Sequence, residues 1–219
     1  MIRHTKLIKQ LEKFNITSFE PLKSKIHSLD LVKDILYQAN VSVFQSSSIN
    51  HKERLKLLKK INSLATSHKE DFCIAHNLTL IIKLSKELDV KTNLIKDSHK
   101  TIKLWKKVLD DPLAINGLIF SYTDLGLLYS DSSLHSCALK YLNKAQSLLN
   151  ECEQDYNPYI KLYVAYAVVY SRQKKYNKAE FYYEQVIKRS KSKKDTMTLI
   201  PILINTSDEF LESRKFLKA

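Results

Sequence analysis

The densest group of potential metal ligands in this chain is His68, Glu70, Cys73 and His76. On one helix, positions 73 and 76 share a face and position 68 is only partly aligned with them. A closed zinc site needs four ligands, and no second cluster supplies the remainder. Ordinary helix side chains are therefore expected here, with no metal and no other cofactor. His4, His27, His51, His99 and His135 are scattered without spacing partners, and no HExxH or GxSxG motif is present. Carboxylate pairs such as Asp110-Asp111 and Asp208-Glu209 fall at expected helix ends, where they favour the dipole or face solvent. No nucleophile stands beside a base, so the chain is expected to bind rather than to catalyse.

Tyrosines crowd one stretch: Tyr156, Tyr159, Tyr163, Tyr166, Tyr170, Tyr176, Tyr182 and Tyr183. Interleaved with Lys, such rings could stack nucleic-acid bases. Tyr163, Tyr166 and Tyr170, however, recur at the period of a helix face, which is the spacing of a packed core. The run Lys188-Arg189-Ser190-Lys191-Ser192-Lys193-Lys194 closes a helix, where cations complement the negative end of the dipole. An acidic partner or a phosphate surface is the alternative use for it. The formal net charge is +13, but only 5 of the 36 basic residues are Arg. Phosphate and base readers lean on the planar Arg fork, so nucleic-acid binding is not expected as the main role.

The elements that must position these residues are helices. The 219 residues include only 2 Gly and 4 Pro, where average usage gives roughly 15 and 11. Phosphate-cradling loops, dinucleotide turns and most all-β folds need more glycine than this. A chain of this size buries about 70% of its unfolded surface and needs no metal or disulfide to fold. Cys73, Cys137 and Cys152 are odd in number and irregularly spaced, which fits a reducing compartment. The N-terminus lacks the unbroken apolar core of a signal peptide. The best apolar run, 113–129, is broken by Asn116 and Asp124, so no membrane insertion is expected and a cytoplasmic location is.

Apolar spacing predicts helices over 2–14, 30–44, 51–65, 69–88, 92–109, 113–130, 134–153, 158–173, 175–192 and 196–213. Thr17-Ser18-Phe19-Glu20 with Pro21, and Asn50 with Glu53, have helix-start spacing. Asp111-Pro112 and Asn157-Pro158 each read as an N-cap followed by Pro at the first helical position, and Pro201 as a first-turn residue or a kink. First helices of successive pairs begin near 30, 69, 113, 158 and 196, a period of about 40.

Within the two clearest pairs the match is residue by residue. Tyr122, Leu125, Gly126 and Tyr129 on one helix precede Ala138, Leu142 and Ala145 on the next. Shifted by 41, the same slots hold Tyr163, Tyr166, Ala167 and Tyr170, then Ala179, Tyr183 and Val186. A third copy, shifted by 40, begins with Leu203, Thr206, Ser207 and Phe210. Tyr176 has His135 and Phe216 in the same turn slot of the neighbouring copies. Residues 69–109 offer only Ser98, Ile102 and Trp105 against this pattern.

The pattern resembles the tetratricopeptide repeat, with aromatic, Leu-Gly and Tyr on one helix and Ala, an aromatic and Ala on its partner. The resemblance covers about 115–219, with a period longer than the family's usual 34. It implies an all-α, right-handed superhelical solenoid of antiparallel helix pairs, with N-terminal helices over 1–68 as degenerate hairpins and the array over 69–219, its last repeat truncated. It also implies a concave face carrying Thr123, Leu127 and Ser130, then Lys161, Val164, Val168, Ser171 and Arg172, then Ile204 and Asp208. The Lys and Asn clamp of chaperone-binding members is missing, since its slots hold Thr123, Leu127 and Ala165. Similar arrays stand ahead of the output domains of bacterial signalling proteins, including GGDEF diguanylate cyclases and histidine kinases, or form peptide-sensing regulators. The expectation is a non-catalytic module that binds a protein or peptide, as the N-terminal regulatory region of a longer signalling protein. A stand-alone peptide-sensing regulator and a basic nucleic-acid-binding helical repeat are the alternatives, and a homodimer is left open.

Overall fold

The computed structural model describes residues 2–14, 16, 31–90, 93–151 and 156–195. They form nine helices and no strand: α1 (Ile2–Glu12), α2 (Leu31–Gln45), α3 (His51–His68), α4 (Asp71–Glu87), α5 (Leu94–Lys107), α6 (Pro112–Asp131), α7 (His135–Glu151), α8 (Tyr156–Arg172) and α9 (Tyr176–Ser192). The expected helix at 196–213, the start signal at Thr17–Glu20 with Pro21, and His27, Cys152 and Pro201 lie outside the described residues. Three starts are capped by side chains. Asn50 accepts from the Glu53 N–H at 3.0 Å, Asn93 from Lys96 at 3.0 Å, and Asp111 from Leu113 at 2.9 Å. The helix expected to begin at Pro158 starts two residues earlier, at Tyr156. Pro158 still falls in the first turn, where no N–H is required.

Helix ends explain how so few glycines suffice. Lys69, Asp89, Ser133, Lys174 and Lys194 adopt the left-handed conformation, with φ between 49° and 60°. At each, the backbone closes with the paired hydrogen bonds of a Schellman turn, as where Lys174 N–H donates to Ser171 and Lys175 N–H to Tyr170. No glycine has positive φ. Both glycines serve instead where a Cβ would collide.

The chain divides into two compact units, Met1–Gly117 and Leu118–Ala219. In the first, α3 and α4, which flank the boundary expected at residue 68, pack against each other, and so do α4 and α5. Contacts between α2 and α4 advance together along both helices: Cys73 Sγ donates to the Lys33 carbonyl, the Tyr37 ring lies on Phe72 and His76, and Asn77 bonds Asn40. The two helices therefore run parallel. Asn40 and Asn77 are both fully buried, which fixes the register of this contact. Ser98, Ile102 and Trp105 are buried on α5, with the Trp105 indole edge-on to Phe72 at 5.3 Å and its N–H donated to Thr79 at 3.2 Å. A Cβ at Gly117 would stand 2.5 Å from the Trp105 ring.

In the second unit, α6 with α7 and α8 with α9 form hairpins of like construction. A Cβ at Gly126 would lie 2.7 Å from a Leu142 methyl and 3.2 Å from the Ala138 carbonyl oxygen. Ala167, Ala179 and Tyr183 fill the matching slots of the next hairpin and are buried. The connecting turns also match at an offset of 41, from Ser133 to Lys174.

Alanine is the better helix former by about 1 kcal/mol, yet Gly117→Ala should lower stability in urea denaturation by about 1–2 kcal/mol, because overpacking outweighs propensity. Adding Trp105→Phe should recover part of that loss, so the double variant is less destabilised than the two single losses combined. A stabilising Gly117→Ala would contradict the contact. Lys174→Gly relieves a left-handed residue and should add about 1 kcal/mol, seen as a rise in Tm of about 2–4 °C.

Candidate functional site

A partly exposed face of the second unit is built where α8 runs beside α6. Residues 124, 127 and 131 recur along one line of α6, and 161, 164, 168 and 172 along one line of α8. At one end Lys161 Nζ meets Asp124 at 2.7 Å and stands 5.0 Å from the Phe120 ring centre. At the other, Arg172 Nη1 meets Asp131 at 2.5 Å and donates to Ser130 Oγ at 3.2 Å. These contacts advance together along both helices, so α8 is parallel to α6. Between the two ion pairs lie Leu127, Val164 and Val168, all partly exposed. The result is an apolar patch bracketed by fixed charge pairs.

Ligand-facing residues expected from the sequence divide into three groups. Leu127, Val164, Val168 and Ser171 are partly exposed, and Lys161 and Arg172 reach the surface but are already paired to carboxylates of α6. Thr123 and Ser130, expected on the same surface, are instead buried, at 0% and 2% exposure. Ser130 is covered by the neighbouring helix, where Arg172 reaches across it, while the Thr123 hydroxyl turns back along α6 and donates to the Ile119 carbonyl at 2.8 Å. Ile204 and Asp208 lie outside the described residues.

Most packing slots are closed. Tyr122, Leu125, Gly126, Ala138, Leu142, Ala145, Tyr166, Ala167, Ala179, Tyr183 and Val186 are buried, while Tyr129, Tyr163 and Tyr170 are half-buried. Two further tyrosines complete the pattern: Tyr141, which escaped the sequence reading, and Tyr182, which was noted in the tyrosine-rich stretch but given no packing slot. Tyr141 stacks on Tyr122 at 6.2 Å and Tyr129 at 5.3 Å. Tyr182 lies against Tyr163 at 5.4 Å, Tyr166 at 4.7 Å and Tyr170 at 5.6 Å. Residues 141 and 182 are themselves 41 apart, which was the available signal. Burial raises the phenols of Tyr141, Tyr166 and Tyr182, and it lifts Tyr159 to about 12. These hydroxyls stay protonated at neutral pH and serve as packing groups with polar tips.

The His–Cys stretch is likewise built into the fold. Burial, with the Glu70 charge second, pushes the Cys73 thiol up to about 12, and Sγ donates to the Lys33 carbonyl at 3.3 Å. A thiol held protonated in this way is unreactive. His76 packs on Tyr37 at 4.8 Å and parallel to Phe72 at 6.5 Å, its Nδ1 enclosed without a partner. Among the described residues no three His, Cys, Asp or Glu side chains gather closely enough to hold a metal ion, and no helix is long and apolar enough to cross a membrane. No family model matches the chain, and no curated protein matches its sequence.

Burial holds the His76 imidazole down at about 4, against 6.5 when exposed. The unfolded chain therefore binds the extra proton first as pH falls. Stability from the neutral ring is complete above pH 6.5 and is lost as pH drops towards 4, by about 2 kcal/mol for a ring that keeps one exposed edge. Urea denaturation across this window should show that slope, and His76→Phe should flatten it. An unchanged slope would place the proton uptake elsewhere.

Proposed function

We propose that the chain is a non-catalytic helical-repeat module of the tetratricopeptide type, acting in the cytoplasm, that binds a protein or peptide segment. The superhelical stacking of such modules, and a place ahead of a bacterial signalling output domain, belong to the same proposal. Support for the repeat comes from seven size-matched positions, a left-handed turn residue and a central tyrosine, all recurring at 41. The observation that carries the binding role is the patch of Leu127, Val164 and Val168 between the Asp124–Lys161 and Asp131–Arg172 pairs. Exposed aliphatic side chains on a helix face accept an apolar anchor, and the flanking charges orient the polar groups beside it. The ion pairs hold Lys161 and Arg172 in place before a ligand arrives, which lowers the ordering cost of binding.

Selection of a random peptide library against the whole chain should enrich sequences with an aliphatic anchor. Calorimetry with an enriched peptide should show affinity falling about tenfold or more in Val164→Asp and Val168→Asp, since each puts a charge where the anchor sits. Enrichment of no peptide, or affinities untouched by both substitutions, would overturn the proposal. So would a mobility shift with an oligonucleotide, abolished by the same variants, at about 0.15 M salt.

A further inference from the structure

α3 carries Lys52, Lys56, Lys59 and Lys60, which with Leu55 and Ser63 line a hollow of about 420 Å³. No described carboxylate forms an ion pair with any of the four, and Glu53, the one acidic residue of the helix, pairs with none. Positions 52/56, 56/59 and 56/60 are three or four apart, so like charges face one another along the helix, an arrangement that destabilises it. Lys52 also sits in the first turn of α3, where the helix dipole disfavours cations. The basic residues closing α9 have the opposite placement and complement their helix end. Lys60 Nζ lies 4.3 Å from the Phe14 ring centre, but folding gives Lys52, Lys56 and Lys59 no such compensation among the described residues, and local rules broken without a structural gain mark functional positions.

The row's chemistry narrows what would relieve it. The single arginine of α3, Arg54, is turned away, donating to the Ser46 and Ile49 carbonyls at 2.6 and 3.1 Å. The hollow thus offers compact ammonium charges and no guanidinium fork for bidentate phosphate binding. No aromatic ring is among its lining residues, and the neighbouring Phe14 ring is already covered by the Lys60 ammonium at 4.3 Å, so a nucleobase finds no open ring to stack on. Leu55, its one apolar lining residue, is only 7% exposed, whereas a membrane-lying helix needs an open apolar face. We infer that the lysine row of α3 is a docking surface for an acidic polypeptide segment, whose carboxylates neutralise Lys52, Lys56 and Lys59 together. This surface belongs to the first unit and does not depend on the function proposed for the α6/α8 patch.

The test uses the whole chain and a fluorescein-labelled peptide of about ten glutamates, enough to reach across three helical turns, read by anisotropy. Binding should weaken about tenfold in the triple variant K52Q/K56Q/K59Q and with a rise in salt from 0.05 to about 0.3 M. The control K188Q/K191Q/K193Q removes the same charge from α9 and should change affinity by less than about twofold. Thermal melting of the triple variant should give a Tm equal to or above that of the parent chain. Four results would overturn the inference: no binding of the peptide, equal losses in both variants, a lowered Tm in the α3 variant, or tighter binding of a thymidine oligonucleotide or of phosphatidylserine vesicles through the same lysines.

Discussion

Two helices of a hairpin can close on each other only where one of them presents no bulk. In α6 that place is Gly126, whose absent side chain leaves room for the Leu142 methyl and the Ala138 carbonyl. Close approach then brings the flanking tyrosines into register, so Tyr141 enters between Tyr122 and Tyr129. The next hairpin keeps the size rule with Ala167 and Ala179, and Tyr182 takes the place of Tyr141 among Tyr163, Tyr166 and Tyr170. Steric volume is what repeats. The identities of the large residues change freely as long as a small one faces them.

The same rule survives in altered form in the N-terminal unit. α5 places Trp105 where α7 has Ala145, and such a substitution would separate the helices unless space were found elsewhere. Gly117 supplies it, since its missing Cβ is what lets the indole lie flat against the start of α6. Polar contacts then set register. The buried Asn40–Asn77 pair joins α2 to α4, and the Asp124–Lys161 and Asp131–Arg172 pairs join α6 to α8. Of these only the Asn40–Asn77 pair is fully buried, and a buried polar pair is costly when its partners are misaligned, so it penalises sliding more than apolar packing does.

Much of this was legible from residue size and spacing. Helix positions followed from apolar periodicity, and the small-residue slots of Gly126 and Ala138 followed from their recurrence at an offset of 41 as Ala167 and Ala179. Trp105 concealed its repeat because the small partner had moved to Gly117, on a different helix, so no alignment of like letters could reveal it. Thr123 and Ser130 were assigned to a ligand face by slot alone, and slot says nothing about how far Arg172 reaches across a neighbouring helix. The helix-ending turns carried no letter that would mark them. Glycine is the usual carrier of positive φ, but here the Schellman hydrogen bonds hold lysine, serine and aspartate in that conformation. The α3 lysine row lay within a helix whose buried side was easily recognised, and its lack of counter-charges needed three dimensions to see.

The central claim is that α6/α7 and α8/α9 are one packing unit built twice, at an offset of 41. Proton NMR of the aromatic side chains addresses it most directly, since stacked rings with centres 5.3 Å apart for Tyr129–Tyr141 and 5.6 Å for Tyr170–Tyr182 exchange magnetisation. Ring-to-ring cross-peaks should appear for both pairs, in the same register. Cross-peaks in one hairpin only, or Tyr182 paired out of step with Tyr141, would contradict the repeat.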